Sequence, residues 1–168
     1  MLLRSAEPAD ASAVAAVHVR TWQATYRGLL PDLFLDGLDV ERWAERYTFD
    51  DPDPNRPRTI LAVEAGAVCG FATIAPAGDA DRQGAGEIIA LYVDPARQGF
   101  GVGRTLIAEA RARLAGRGFT TACLWVLVGN RRAERFYRVD GWVLDGAWRR
   151  QQFGGRHVVD VRYWRQLV

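Results

Sequence analysis

The sequence predicts an α+β domain of about seven strands and four helices, and three observations carry that reading. Its 168 residues are one domain's worth of chain, so residues 1–168 are read as a single domain. Hydrophobic residues make up 49% and charged residues 25%, enough apolar material for one core and far from the composition of a disordered chain. The apolar pattern also alternates between helical spacing and short runs bounded by glycine, proline and aspartate. The resulting order is strand, two helices, three strands, helix, strand, helix, two strands, with no internal repeat.

The first residues form a short strand. Pro8 and Asp10 then favour a helix start through a fixed φ and a favourable dipole, and the helix runs to about Tyr26. Gly28 and Pro31 break it. A second amphipathic helix carrying Leu35, Leu38, Trp43 and Tyr47 continues towards Thr48, and the Asp50–Asn55 stretch is a loop by composition. Ile60–Ala65 and Ala67–Ala75, joined at Gly66, read as a hairpin. Gly78–Gly86 is a polar loop, and Ile88–Val93 is a strand ended by Asp94 and Pro95. The clearest helix spans about Gly101–Ala115, with Leu106, Ile107, Ala110 and Leu114 on one face and the pair Glu109 and Arg113 on the other. A strand at Thr121–Val128, a short helix at Ala133–Val139 and a closing hairpin of Trp142–Gln152 and His157–Leu167 around Gly154 and Gly155 complete the chain.

Composition excludes several chemistries. All 22 basic residues are arginines, so a P-loop, a Schiff-base enzyme and a protein kinase are ruled out, because each depends on a lysine. A net charge of +2 without a dense basic stripe argues against nucleic acid as a partner. Cys69 and Cys123 lie inside apolar runs and read as inert buried thiols, and with only His18 and His157 beside them no zinc spacing exists. No metal is expected. Neither a signal-type apolar core nor a run of 18 apolar residues occurs, which predicts a cytoplasmic protein without a membrane partner.

The central chemical signal is Gln98-Gly99-Phe100-Gly101-Val102-Gly103-Arg104, set between a strand and the strongest helix. Glycines there free the backbone to turn and leave N–H groups bare at a helix N-terminus, which makes a phosphate or pyrophosphate cradle. A dinucleotide fingerprint needs a further glycine where Arg104 and Leu106 stand, and an acidic residue after the next strand; both are missing. Downstream, Asn130, Ala133, Phe136, Tyr137, Gly141 and Trp142 form a second ordered set. Together with Gln98, Gly101 and Gly103, and with Leu91-Tyr92-Val93-Asp94-Pro95 ahead of them, these residues resemble the two signatures of the GNAT superfamily of N-acetyltransferases, which use acetyl coenzyme A. The likeness covers essentially the whole chain. Two departures are Gln98, where arginine is commoner, and Phe100, at a position that is often basic.

The resemblance implies a mixed, mostly antiparallel central sheet of about seven strands flanked by about four helices and splayed between the fourth and fifth strands to admit the cofactor. It implies that acetyl coenzyme A is the co-substrate, its pyrophosphate held by backbone N–H groups from Gln98 to Arg104 (through Gly99, Phe100, Gly101, Val102 and Gly103). Its pantetheine pairs with Leu91, Tyr92 and Val93, and Asn130, Ala133, Phe136 and Tyr137 line the split. Arg132, Arg135 and Arg138 are the candidates to meet the 3′-phosphate, against the alternative of a solvated face.

Acetyl transfer to an amine poses two proton problems. An amine of pKa ~10.4 is neutral in only about one molecule in 10³ at pH 7, so a base or water relay is needed. Glu87 is the candidate base, with Asp79 or Asp81 as alternatives. The leaving thiolate needs a proton, and Tyr137 matches the family's general acid. A backbone N–H near Tyr92 or Val93 is the candidate donor to the developing oxyanion. Trp22 and Tyr26, together with Glu87, are expected at the acceptor site, and Trp43 and Trp148 are further candidates for an apolar acceptor pocket. The expected acceptor is a small-molecule or peptide amine, and a homodimer is left open. The competing function is a non-catalytic acyl coenzyme A sensor or partner-binding module, against which the retained base and acid count.

Overall fold

A computed structural model of the chain describes residues 1–167. In chain order the elements are β1 (Leu2–Ser5), α1 (Ala11–Thr25), α2 (Asp32–Asp36), α3 (Val40–Ala44), β2 (Arg58–Glu64), β3 (Ala67–Pro76), β4 (Gly86–Val93), α4 (Val102–Gly116), β5 (Thr121–Leu127), α5 (Arg131–Val139), β6 (Val143–Phe153) and β7 (Arg156–Gln166). The seven strands form one sheet in the order β1-β2-β3-β4-β5-β7-β6. Every neighbouring pair is antiparallel except β4 and β5. This is the mixed, mostly antiparallel sheet that the resemblance implied.

Both faces of the sheet's first half are covered, which explains why β2 and β3 read as continuous apolar runs rather than as an alternation. Ile60, Ala62, Ala72 and Ile74 pack with Leu106, Ile107 and Leu114 of α4 on one side. Leu61 and Phe71, one residue out of phase, pack with Val14 and Val17 of α1 on the other. The two-residue period of a strand therefore sorts one apolar run into two cores. On the far side of the split, Ala122, Leu124 and Val126 of β5 and Tyr163 of β7 continue the α4 core. Their neighbours Cys123, Trp125, Leu127, Asp160 and Arg162 face the opposite way, on the side that holds the site.

The second predicted helix is two short ones, so the sheet carries five α-helices rather than four. Gly37 ends α2, and the Asp39 carboxylate accepts the backbone N–H of Arg42 at 2.9 Å to start α3 afresh. An aspartate that caps a new helix interrupts the apolar spacing that had suggested one element. Other boundaries shift by one or two residues, and the predicted first helix opens as a single 3₁₀ turn at Pro8–Asp10. Among the described residues no helix is long and apolar enough to cross a membrane.

Candidate active site

Strands β4 and β5 pair only at Gly86 with Ala122 and Glu87 with Cys123. Beyond that point they diverge. Ile89 is an extra residue on β4, since Thr73 faces Ala90 and Ile74 faces Ile88, and such a bulge bends its strand and increases the local twist. The divergence leaves a cleft of about 340 Å³ between residues 88–93 of β4 and Trp125, Val126 and Leu127 of β5. Along this cleft the β4 edge has no strand partner, so its outward N–H and C=O groups are open to a ligand with peptide-like groups.

The glycine turn closes one end of the cleft. Gly99 and Gly101 have φ of +89° and +87°, values that L side chains rarely adopt, and Gly101 is the N-cap of α4. The first N–H groups of that helix have no partner within it, and the helix dipole adds to their attraction for an anion. Gly103, the second residue of α4, is helical; a Cβ there would sit 3.5 Å from the Phe136 ring and 3.6 Å from Val93. The Gln98 side chain donates from Nε2 to the Val93 carbonyl at 3.0 Å and accepts from Arg132 through Oε1, joining the end of β4 to α5. Bare glycine backbone and an unpaired strand edge on one cleft fit a long ligand that carries both phosphate and amide groups.

Twelve of the residues assigned to the cofactor line this cleft: Leu91, Tyr92, Val93, Gln98, Gly99, Gly101, Gly103, Arg104, Asn130, Ala133, Phe136 and Tyr137. Two side chains do not. Phe100 points to solvent at 79% exposure, and Val102 is buried in the α4 core, so only the backbone of either can serve the turn. Asn130 also has a structural task, because its Oδ1 accepts the Ala133 N–H at 3.2 Å and caps α5. Of the three arginines considered for the 3′-phosphate, Arg132 lines the cleft, whereas Arg135 and Arg138 do not.

Tyr137 is buried against Phe136 and Trp142, with ring centroids 5.2 and 6.2 Å away. Burial raises its pKa further above the ordinary phenol value, and the Tyr92 and Asp140 neighbours add to the rise. Tyr26 and Tyr92 are raised for the same first reason. All three phenols are therefore protonated donors at neutral pH.

A second cavity of about 350 Å³ adjoins the cleft and shares Tyr26, Ile89, Tyr92, Trp125 and Leu127 with it. Glu87, Trp22 and Tyr26, the three residues grouped together in the sequence reading, all line it. Burial raises the Glu87 pKa; the Gly78 N–H, 3.4 Å from Oε2, works against the rise. Cys123, paired with Glu87, is pushed by burial to about 12 and stays a thiol.

Several expectations for this cavity need correction. Trp43 packs against Trp22 and against His18, tilted to the imidazole at 4.2 Å, and Trp148 is 60% exposed; neither lines the cavity. Asp79 and Asp81 are held by the Arg162 guanidinium, at 3.0 Å for Asp79 Oδ2 and 2.8 Å for Asp81 Oδ1, and line neither cavity. Trp125, Phe153, Arg149, Gln151 and Asp160 take their place, and no local motif marks them as site residues.

A family model described as the acetyltransferase (GNAT) family matches residues 20–142, most of the chain and both signatures. The chain belongs to the GNAT acetyltransferase family. The GNAT chain is 29% identical over 133 residues to an uncharacterized N-acetyltransferase, YuaI, of Bacillus subtilis, covering 76% of this chain and 72% of that one. It is also 29% identical over 160 residues to an uncharacterized N-acetyltransferase of Mycobacterium bovis, covering 95% and 99%. Among solved structures it shares its fold with a PaiA N-acetyltransferase of Thermoplasma acidophilum in complex with coenzyme A (TM-score 0.77, 17% identity, 98% of each chain). A second is yncA of Salmonella typhimurium with its cofactor acetyl-CoA (TM-score 0.73, 19% identity, 99% and 94%). This GNAT protein is thus an acetyltransferase with the family's split sheet.

Proposed function

We propose that the protein transfers the acetyl group of acetyl coenzyme A to a primary amine, by direct attack with both substrates bound and no covalent enzyme intermediate. The observation that carries this reading is the common wall of the two cavities: a cleft bearing the glycine turn and Tyr137 shares Tyr26, Ile89, Tyr92, Trp125 and Leu127 with a cavity bearing Glu87. Two relatives crystallised with coenzyme A or acetyl-CoA support the choice of co-substrate. The two buried free cysteines agree with a reducing compartment such as the cytoplasm.

In this reading the α4 N-terminus and the turn from Gln98 to Arg104 hold the pyrophosphate, and the open β4 edge from Leu91 to Val93 orients the pantetheine. Glu87 takes one proton from the acceptor ammonium. The freed nitrogen forms its bond to the acetyl carbon as the carbon–sulfur bond breaks, and a second nitrogen proton leaves while the sulfur gains one by way of Tyr137. A backbone N–H of β4 near Tyr92 or Val93 faces the oxygen that becomes negative. A phenol of pKa ~10 is already a weaker acid than a thiol of pKa ~8.5, so full transfer in the ground state is uphill by about 2 kcal/mol. Burial raises the phenol further, which makes Tyr137 first a hydrogen-bond donor to the developing thiolate and only late a proton donor.

The test is release of free thiol from acetyl coenzyme A across a broad set of amines, with acetylated product identified by mass spectrometry. No side chain of this protein is a lysine amine, so self-acetylation on lysine cannot mimic turnover. Amine-dependent thiol release supports the reading; none from any amine, despite coenzyme A binding, overturns it. Tyr137→Phe should lower turnover by roughly 10²-fold while keeping coenzyme A affinity. An equal rate in that variant removes the role assigned to the hydroxyl.

A further inference from the structure

We propose that Asp160 is the acceptor-binding carboxylate of this site, and that the acceptor is a primary amine with one positive charge and an aromatic or long apolar body. The proposal rests on the acetyltransferase reading above and deepens it. Asp160 stands on β7 opposite Leu127 of β5 and Arg149 of β6, on the sheet face that carries Glu87, and it lines the second cavity.

Only 6% of Asp160 is exposed, yet its carboxylate is half used. Oδ2 accepts from Arg149 Nε at 3.1 Å and from Gln151 Nε2 at 2.8 Å, while among the described residues none donates to Oδ1. That oxygen is not sealed in by the protein, so a ligand can supply its donor, and an ammonium brings three. The fixed half of the group points the free half: Arg149 is itself held, its guanidinium 4.3 Å over the Trp125 ring.

The rest of the wall defines the body of the acceptor. Trp22, Tyr26, Tyr92, Trp125 and Phe153 surround the space. Trp22 and Phe153 meet edge to face at 5.5 Å, and Trp22 and Tyr26 at 5.1 Å. Such rings offer contact area to a flat or long apolar group and electron-rich faces to a cation. Charge sets the number of cations. Glu87 and Asp160 contribute two negative charges and Arg149 one positive, which leaves one charge for one ammonium and none for a second. Asp160 then receives the ammonium, and Glu87, in the same cavity, takes the proton that must leave before attack.

The experiment compares wild type with Asp160→Asn on a panel of arylalkyl and long-chain monoamines, diamines, triamines and amino acids. Asn keeps an oxygen for Arg149 and Gln151 but removes the charge. The acceptor KM should rise on the order of 10- to 100-fold, as expected for a hydrogen bond to a charged group, with the KM for acetyl coenzyme A unchanged. In wild type, apolar monoamines should have the highest kcat/KM. A tertiary-amine analogue should compete with the acceptor roughly tenfold better than its neutral alcohol counterpart, a measurement that needs no variant and so survives any misfolding of Asp160→Asn. The proposal is overturned if the acceptor KM is unmoved in folded Asp160→Asn, if the alcohol competes as well as the amine, or if polyamines or amino acids are the better acceptors. If no amine at all is acetylated by wild type, it is the acetyltransferase reading that fails instead.

Discussion

Glu87, second residue of β4 and the base in the proposed reaction, has surroundings that raise its pKa, first by burial and further through the charge of Asp79. A raised carboxylate gains its basic form only above the shifted value, so turnover should fall as pH drops through a point above the ordinary glutamate value of about 4.3. The pH profile of kcat/KM should show that acidic limb, and Glu87→Gln should lose the limb along with roughly 10²-fold in rate. A limb that persists unchanged in the variant assigns it to another group. The glycine turn makes a second residue-scale prediction. Gly103→Val has room for its Cβ beside Phe136 and Val93, so it should fold normally by circular dichroism and yet lose coenzyme A binding in calorimetry, its branch filling the end of the cleft. Gly101→Val should lose binding as well and add strain of about 1–2 kcal/mol, because its φ is +87°. Wild-type affinity in either variant would remove the turn from the binding site. Gln98→Ala keeps its N–H and should bind only moderately less well.

At the scale of elements, the split between β4 and β5 needs an anchor on each side of it. Arg162 of β7, 3% exposed, supplies one. Its guanidinium meets Asp79 and Asp81 of the β3–β4 loop and Asp145 of β6, and Arg82 of the same loop bonds Asp145 as well. Trp125 of β5 donates to Asp79 at 3.1 Å. The network thus ties the loop that leads into Glu87 to the far half of the sheet, where β4 and β5 themselves share only two residue pairs. Removing the cation leaves the buried Asp145 carboxylate with Arg82 alone and Asp79 with the Trp125 N–H alone: Arg162→Met should cost about 3–5 kcal/mol in urea denaturation. Asp81 is mostly exposed, and Asp81→Asn should change stability little. Equal effects of the two substitutions would mean that the network does not hold the loop.

For the whole molecule, stability should depend on pH through His18. It is buried under Trp22, Trp43 and Tyr92, its Nδ1 hydrogen-bonded to the Tyr47 hydroxyl at 2.5 Å. Burial, with help from the Arg46 charge, lowers its pKa to about 3. The folded protein therefore keeps this ring neutral while the unfolded chain protonates it near 6.5, so the unfolded state binds more protons below that pH. The His18 contribution is complete above about 6.5 and is lost as pH falls towards 3, by up to about 1.4 kcal/mol per pH unit. Urea denaturation at pH 7 and pH 5 should show the loss, and His18→Asn should have the shallower dependence. An identical slope in the variant would place the acid sensitivity elsewhere.

What the sequence determined by itself was local. Helical spacing, strand runs and turn residues gave the element order. The glycines between β4 and α4 announced a turn of bare backbone at a helix N-terminus, because φ freedom and helix ends are properties of a few adjacent residues. The two signatures at Gln98–Gly103 and Asn130–Trp142 identified the family for the same reason. Only the tertiary structure decided which side chains share the acceptor cavity. Trp43 and Trp148 were plausible from composition, and packing set one against Trp22 and His18 and sent the other to solvent. Asp160, Arg149 and Trp125 carried no local sign, because their meeting with Glu87 depends on the register of β5 with β7 and of β6 with β7. Strand register is set by long-range pairing, in which a one-residue slip exchanges every inward and outward side chain. Chemistry built on a turn can therefore be read from the chain directly, whereas chemistry built across four strands exists only once they have paired.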